Sequence, residues 1–249
     1  MKTIMKTTNT NLKNFLALLA ITIVLVFSSC SNNEDDNLEE NSENLSEIVM
    51  QDFVEEINNL SVPSALMNSN NQYAQEANAQ FESLKSLSTS FSSLFVIPDY
   101  ALSTKTSSKV VSKSSSSNTQ TYSWSSGDTT VEYTITEASD RYSFTYYVTS
   151  PDFTGKLMAG YQLIDGSYAE VNLYYDNIVE STIKWWVNDE DIKIELSSDD
   201  FKLILESNAT DNSGNLKVYY SNTLTALYEW NADGTGTYTN YYTNETYSW

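Results

Sequence analysis

The sequence predicts an α+β fold that is mainly β: two N-terminal amphipathic helices followed by an antiparallel β meander, arranged as a half-barrel, barrel or sandwich. Three observations carry this expectation. Apolar residues recur at helical spacing from Leu45 to Phe95. Beyond Tyr122 the apolar period changes to two. Turn-forming residues then divide the chain into short runs of about 8 to 12 residues, the spacing of consecutive antiparallel strands.

The amino terminus reads as a targeting segment. Lys2, Lys6 and Lys13 precede an uncharged apolar run from Phe15 to Phe27, which ends in Ser28, Ser29 and Cys30. A basic region, a short apolar core and small residues before a cut make up a secretory signal. The run is shorter than the roughly 20 residues a membrane span requires, so residues 1–29 are expected to be removed.

Phe27-Ser28-Ser29-Cys30 resembles the lipobox of bacterial lipoproteins, with phenylalanine where leucine is more usual. That resemblance implies acylation of Cys30, with palmitate among its chains. Residues 30–43, including Ser31-Asn32-Asn33-Glu34-Asp35-Asp36, look like the acidic tether of outer-membrane lipoproteins of Bacteroidota. The resemblance therefore implies a protein anchored to the outer membrane and facing the periplasm or the cell surface. Each buried acyl methylene contributes about 0.8 kcal/mol, and stable anchoring takes more than one chain.

Residues 44–98 are expected to form a helical hairpin. Leu45, Ile48, Val49, Phe53, Ile57 and Leu60 share one helical face, Asn44 and Glu47 have capping-box spacing, and Pro63 ends the pattern. A second stripe runs through Tyr73, Ala77, Phe81, Leu84, Leu87, Phe91, Leu94 and Phe95, and stops before Pro98. Both stripes need an apolar surface, and the protein's own sheet is the expected one. Residues 99–120, dense in serine with scattered lysine, read as a flexible linker.

Residues 121–249 read as the β domain. The alternating sets are Val131, Tyr133 and Ile135; Tyr142, Phe144, Tyr146 and Val148; Leu157, Ala159, Tyr161 and Leu163; Ile192, Ile194 and Leu196; Phe201, Leu203 and Leu205; and Leu216, Val218 and Tyr220. Ser126-Gly127-Asp128, Ser139-Asp140, Asp165-Gly166, Asp199-Asp200, Ser213-Gly214-Asn215 and Asp233-Gly234 supply turns. Thr121-Tyr122-Ser123-Trp124 recurs as Thr246-Tyr247-Ser248-Trp249, at the expected first and last strands. If those strands pair, the sheet closes into a barrel; otherwise both are edges that need protection.

Composition excludes whole classes of chemistry. The formal charge is −20, and loss of residues 1–29 removes three lysines and no acid, which leaves −23. Such a balance repels phosphate backbones, so no nucleic-acid partner is expected. The only cysteine is Cys30 and there is no histidine. Histidine-activated nucleophiles, histidine-ligated zinc and thiolate zinc sites are therefore absent, and no cofactor or metal is called for.

The aromatic doublets Tyr146-Tyr147, Tyr174-Tyr175, Trp185-Trp186, Tyr219-Tyr220 and Tyr241-Tyr242 are the most unusual local feature. Neighbours on a strand face opposite sides, so each doublet puts a ring on each face. One face then packs the core. On the other, the rings form cross-strand pairs or, in the functional reading, stack on sugars or enclose an apolar ligand, with Tyr147, Tyr175, Trp185, Trp186 and Tyr219 as the candidate contacts.

Catalysis without histidine would need paired carboxylates, and Glu132, Glu170, Glu180, Glu195 and Glu229 lie in or beside strands with nothing to select two of them. Asp189-Glu190-Asp191 and Asn231-Ala232-Asp233-Gly234 have oxygen donors, but turn chemistry accounts for them. Asp128-Thr129-Thr130 resembles the short O-glycosylation acceptor of Bacteroidota. The leading expectation is a non-catalytic module that binds glycan or another surface partner. The alternatives are a carrier of an apolar ligand held between sheet and helices, similar in architecture to the periplasmic lipoprotein carriers, and a carboxylate glycosidase.

Overall fold

Strand pairing follows chain order without a crossover. The computed structural model describes residues 44–102, 104–111 and 116–249; the expected signal peptide, Cys30 and the acidic tether lie outside them. A single antiparallel sheet is built from β1 (Thr106–Val111), β2 (Ser116–Ser126), β3 (Thr129–Glu137), β4 (Arg141–Thr149), β5 (Thr154–Leu163), β6 (Tyr168–Tyr175) and β7 (Ile178–Val187). It continues through β8 (Asp191–Ser198), β9 (Phe201–Asn208), β10 (Gly214–Tyr220), β11 (Thr223–Trp230), β12 (Gly236–Asn240) and β13 (Glu245–Ser248).

The sheet is open, with β1 and β13 at its edges. That removes the barrel and sandwich alternatives. The repeated tetrapeptide does not close it, because β2 lies between β1 and β3. The two copies nonetheless occupy matching registers. Thr121 faces Thr134 and Tyr122 faces Tyr133, as Thr246 faces Thr239 and Tyr247 faces Tyr238.

Short turns make this order possible. Asp176 and Asn177 both have positive φ, as do Ser221 and Asn222, which is the two-residue type I′ geometry that matches strand twist. Three longer loops use one device at the opposite end of the sheet. Asp165, Asp211 and Asp233 each accept hydrogen bonds from both the backbone N–H and the hydroxyl of the residue two further on, Ser167, Ser213 and Thr235. These bonds hold the three carboxyls below the usual aspartate range.

Helices cover one face of the sheet. A 3-10 turn, Leu45–Glu47, is followed by α1 (Gln51–Asn59), α2 (Ser64–Met67), α3 (Gln72–Ser92) with a terminal 3-10 turn Ser93–Phe95, and α4 (Asp99–Leu102). The stretch from Leu45 to Leu60 is thus broken at Met50, whose φ is 67°. Its N–H is taken by Gln162 of β5 rather than by the preceding turn. Asn44 and Glu47 bond to each other through their side chains, not to the backbone.

The helical layer reaches across most of the sheet. Phe95 packs edge-on against Phe144, Phe53 lies 6.2 Å from Trp185, and Tyr73 stacks on Tyr238 and Tyr247 at 4.8 and 4.6 Å. Gly234 fits beneath α2 because a Cβ there would come within 2.7 Å of the Ala65 side chain.

Two expectations need correction. Residues 99–120 are not a structureless linker among the described residues: they hold α4, β1 and the first part of β2. Serine is permissive enough to take the strand that β3 templates through the Thr119–Thr136 and Thr121–Thr134 hydroxyl pairs. In β5 the expected apolar set is mostly on the wrong side, with Leu157, at the register shift opposite Tyr146 and Tyr147, as the member that packs against the core. Met158 and Gln162 are buried and Gly160 points inward, whereas Ala159, Tyr161 and Leu163 face away from the helices. Phe144 lies over Gly160, filling the space of the missing side chain, and so sets the register.

Candidate functional site

The face turned away from the helices is free of covering elements among the described residues, and its centre carries an aromatic row. Tyr161 of β5, Tyr168 of β6 and Trp186 of β7 follow one another with ring centroids 5.6 and 5.2 Å apart. Such tilted contacts contribute beyond simple burial.

Cations close the row at both ends. The Arg141 guanidinium sits 4.9 Å above the Tyr161 ring, steadied by two hydrogen bonds to the Asp140 carboxylate. The Lys193 ammonium lies 4.6 Å from the Trp186 ring. Cation–π attraction holds both side chains flat against the sheet.

Ionic ties fix the surrounding side chains. The Tyr168 hydroxyl donates to Glu170 at 2.8 Å, and Lys184 lies 3.8 Å from the same carboxylate. Burial, together with the Glu170 carboxylate, pushes the Tyr168 phenol well up, so it remains a neutral donor. Lys217 pairs with Glu206 at 2.7 Å, and Asn215 donates to the same carboxylate at 3.1 Å. Partial burial opposes ionisation of Glu206, but those two donors hold its pKa below the ordinary value.

A groove of about 580 Å³ opens beside Trp186, lined by Asn188, Asp191, Lys193, Glu206, Asn208 and Asn215 among others. A second hollow of about 480 Å³ shares Ser213, Gly214 and Asn215 with it and extends to Glu229, Asn231 and Thr237. The side-chain carbonyl of Asn215 is buried there without a hydrogen-bond partner. An aromatic flank next to convergent amides and carboxylates can seat a ring edge-on or face-on and satisfy its hydroxyl groups.

The expected contact residues separate. Trp186 stands in the row. Trp185 is 1 % exposed and belongs to the core, because adjacent strand residues face opposite sides. Tyr219 lies on the outer face beneath Lys202, whose ammonium is 4.6 Å from its ring. Tyr147 and Tyr175 are exposed near the opposite end of the strands from the grooves, where Lys156 covers Tyr174 at 3.8 Å. Tyr241 and Tyr242 fall in the turn between β12 and β13 rather than in a strand. Tyr161, Tyr168, Arg141 and Asn215 carry the site and were not singled out. The signal that could have found the first of them is β5 itself, whose inward positions include glycine and glutamine while its apolar residues alternate outward.

The acidic loops have local explanations. Asn188 accepts bonds from the N–H groups of Glu190 and Asp191, and Asp233 is engaged by Thr235. Among the described residues no group of three or more acids, histidines or cysteines is arranged to hold a metal ion. Asp128 is exposed and Thr129 opens β3 beside the Gly127 turn. No protein-family model matches the chain, and a search of curated proteins finds no match.

Proposed function

We propose that the protein is a non-catalytic glycan-binding module, tethered to the outer membrane through lipid on Cys30, that binds with the sheet face opposite its helices. The observation that carries this reading is the Tyr161–Tyr168–Trp186 row running into a polar groove. Sugars offer apolar C–H faces and hydroxyl edges, and this surface offers rings for the first and Asn208, Asn215, Asp191 and Glu206 for the second.

Two further features favour it over the alternatives. The inner face is occupied by one cluster in which Phe53, Phe81, Phe95, Tyr133 and Trp185 pack together, and the two grooves, which touch that cluster only at Ile192 and Trp230, are lined mainly by polar residues. A carrier would hold its ligand on that inner side. Glycosidic cleavage needs a carboxyl kept protonated by a raised pKa. In the groove, Glu206 is paired with Lys217 at 2.7 Å and receives a hydrogen bond from Asn215, which together hold its pKa below the ordinary value.

The test is a glycan array probed with the mature chain from Cys30 in a sugar-free detergent, alongside Trp186→Ala. The reading requires binding that this substitution abolishes; no signal, or signal indifferent to Trp186, overturns it. Anchoring is tested separately by palmitate labelling. Cys30→Ser should lose both the label and the membrane association, and a labelled variant would refute acylation at that position.

A further inference from the structure

Resting on that reading, we infer that the ligand is an extended, uncharged polysaccharide of β-1,4-linked hexopyranoses lying across the strands. The argument begins with register. Trp186, Lys193, Glu206, Asn215, Glu229 and Thr237 stand directly opposite one another on six consecutive strands, from β7 to β12. Neighbouring strands lie about 4.8 Å apart, so this line spans roughly 24 Å. An extended β-1,4-linked hexopyranose chain repeats at nearly the strand spacing and is ribbon-like, so each strand can address one unit.

The two hollows follow the same line. They share Ser213, Gly214 and Asn215, so the two adjoin, and together we take them as one trough from Trp186 to Thr237. A ligand of one or two rings would occupy one end of it. Asn215 sits in the shared segment, where its amide donates to Glu206 and its buried carbonyl lacks a partner, so a turn of this side chain toward a chain passing through would supply that carbonyl with a hydroxyl donor.

Charge selects among polysaccharides. Asp191, Glu206 and Glu229 line the trough together with Lys193, which is drawn over Trp186, while Lys217 pairs with Glu206 from beside it, so the acids still outnumber the cations. On a chain of formal charge −20, such a trough repels uronic-acid and sulfated polymers. A peptide is a poorer fit, because extended peptides add to free sheet edges, whereas the backbones of β7 to β12 are paired on both sides.

The experiment is calorimetric titration of the mature chain with cello- and chito-oligosaccharides of two, four and six units, with polygalacturonate as the charged comparison. Affinity should rise at least tenfold from two units to six, and polygalacturonate should not bind. Trp186→Ala should abolish binding of every length. Glu229→Gln, at an exposed side chain that folding does not need, should weaken only the longest ligands, and Asn215→Ala the four- and six-unit ones. Equal affinity for two and six units, preference for polygalacturonate, or failure of both ladders overturns the inference. Array binding that depends on Trp186 would in those cases leave the broader glycan reading standing, whereas its absence would remove both.

Discussion

The side-chain carbonyl of Gln162 accepts a 2.6 Å hydrogen bond from the backbone N–H of Met50, 112 residues earlier in the chain. Gln162 is buried on the sheet's inner face near the end of β5, and Met50 precedes α1 in a left-handed conformation. That conformation costs an L-residue about 1 to 2 kcal/mol, and the bond offsets part of the cost. Gln120 makes an equivalent bond to the N–H of Leu45 at 3.0 Å. Two buried glutamines thus position the entry of the helical layer.

Gln162→Ala leaves the Met50 N–H buried without an acceptor. The expected loss is about 1 to 3 kcal/mol, the desolvation cost of an unsatisfied donor. Urea denaturation followed by circular dichroism measures it, and an unchanged midpoint would show that the helical layer docks without this bond.

Tyr133→Phe should act in the opposite sense. The Tyr133 hydroxyl is fully buried between Tyr122 and Tyr146 and has no hydrogen-bond partner. Removing it should stabilise the fold by about 1 kcal/mol, since the wild type desolvates a polar group without compensation. A lower melting temperature for the variant would contradict this.

Alkaline pH should unfold the protein for a related reason. Burial raises the phenol pKa values of Tyr133, Tyr146 and Tyr228 above the ordinary 10.0, with the Glu76 carboxylate adding to the shift of Tyr228. A folded pKa above the unfolded one favours the protonated native state, so this stability is complete below pH 10 and falls as pH rises beyond it. Beyond the tyrosinate absorbance that the exposed tyrosines contribute, the remaining absorbance and circular dichroism should therefore change together above pH 10. Tyrosinate formation well before loss of structure, with all tyrosines titrating normally, would refute the assignment.

Gly160→Ala should be costly where Gly127→Ala is mild. A Cβ on Gly160 would lie 2.2 Å from the Glu170 carbonyl oxygen and 2.9 Å from the Phe144 ring, so two strands or a core ring must move. Overpacking of this kind costs about 1 to 3 kcal/mol. Gly127 has open space around it and only its positive φ, 59°, to set against a side chain, a penalty of about 1 kcal/mol. Equal midpoints for the two variants in denaturant would show that β5 and β6 can separate freely.

The strands were legible wherever one face is buried and its residues are apolar. Val131, Tyr133 and Ile135, then Ile192, Ile194 and Leu196, lie inward as their alternation predicts. The rule failed at β5, because glycine and glutamine hold the inward positions and the apolar residues spell the opposite face. The strands β6 and β7 were obscured by the inward Ala169 and Ser181 and by the bulge between Leu173 and Tyr174.

The candidate site was only partly legible. The doublet at Trp185 and Trp186 marked one ring on each face of β7, yet sequence alone could not say which ring faces outward. Tyr161, Tyr168 and Asn215 are single residues on separate strands, and only the pairing register brings them into line.

Because every strand pairs only with its neighbours in the chain, the sheet is close to a one-dimensional object. Hairpins can form locally and zip in either direction, with little loop entropy lost at each step. In a stack of that kind stability is a sum of nearest-neighbour terms, and cooperativity has to come from elsewhere. Here the helical layer provides it. Its bonds to Gln120, Gln162 and Asn212 join residues 75, 112 and 151 positions apart. Folding kinetics should accordingly show rapid strand formation followed by a slower, all-or-none docking of the helices, and a deletion of one complete hairpin should shorten the sheet while keeping the same two edges.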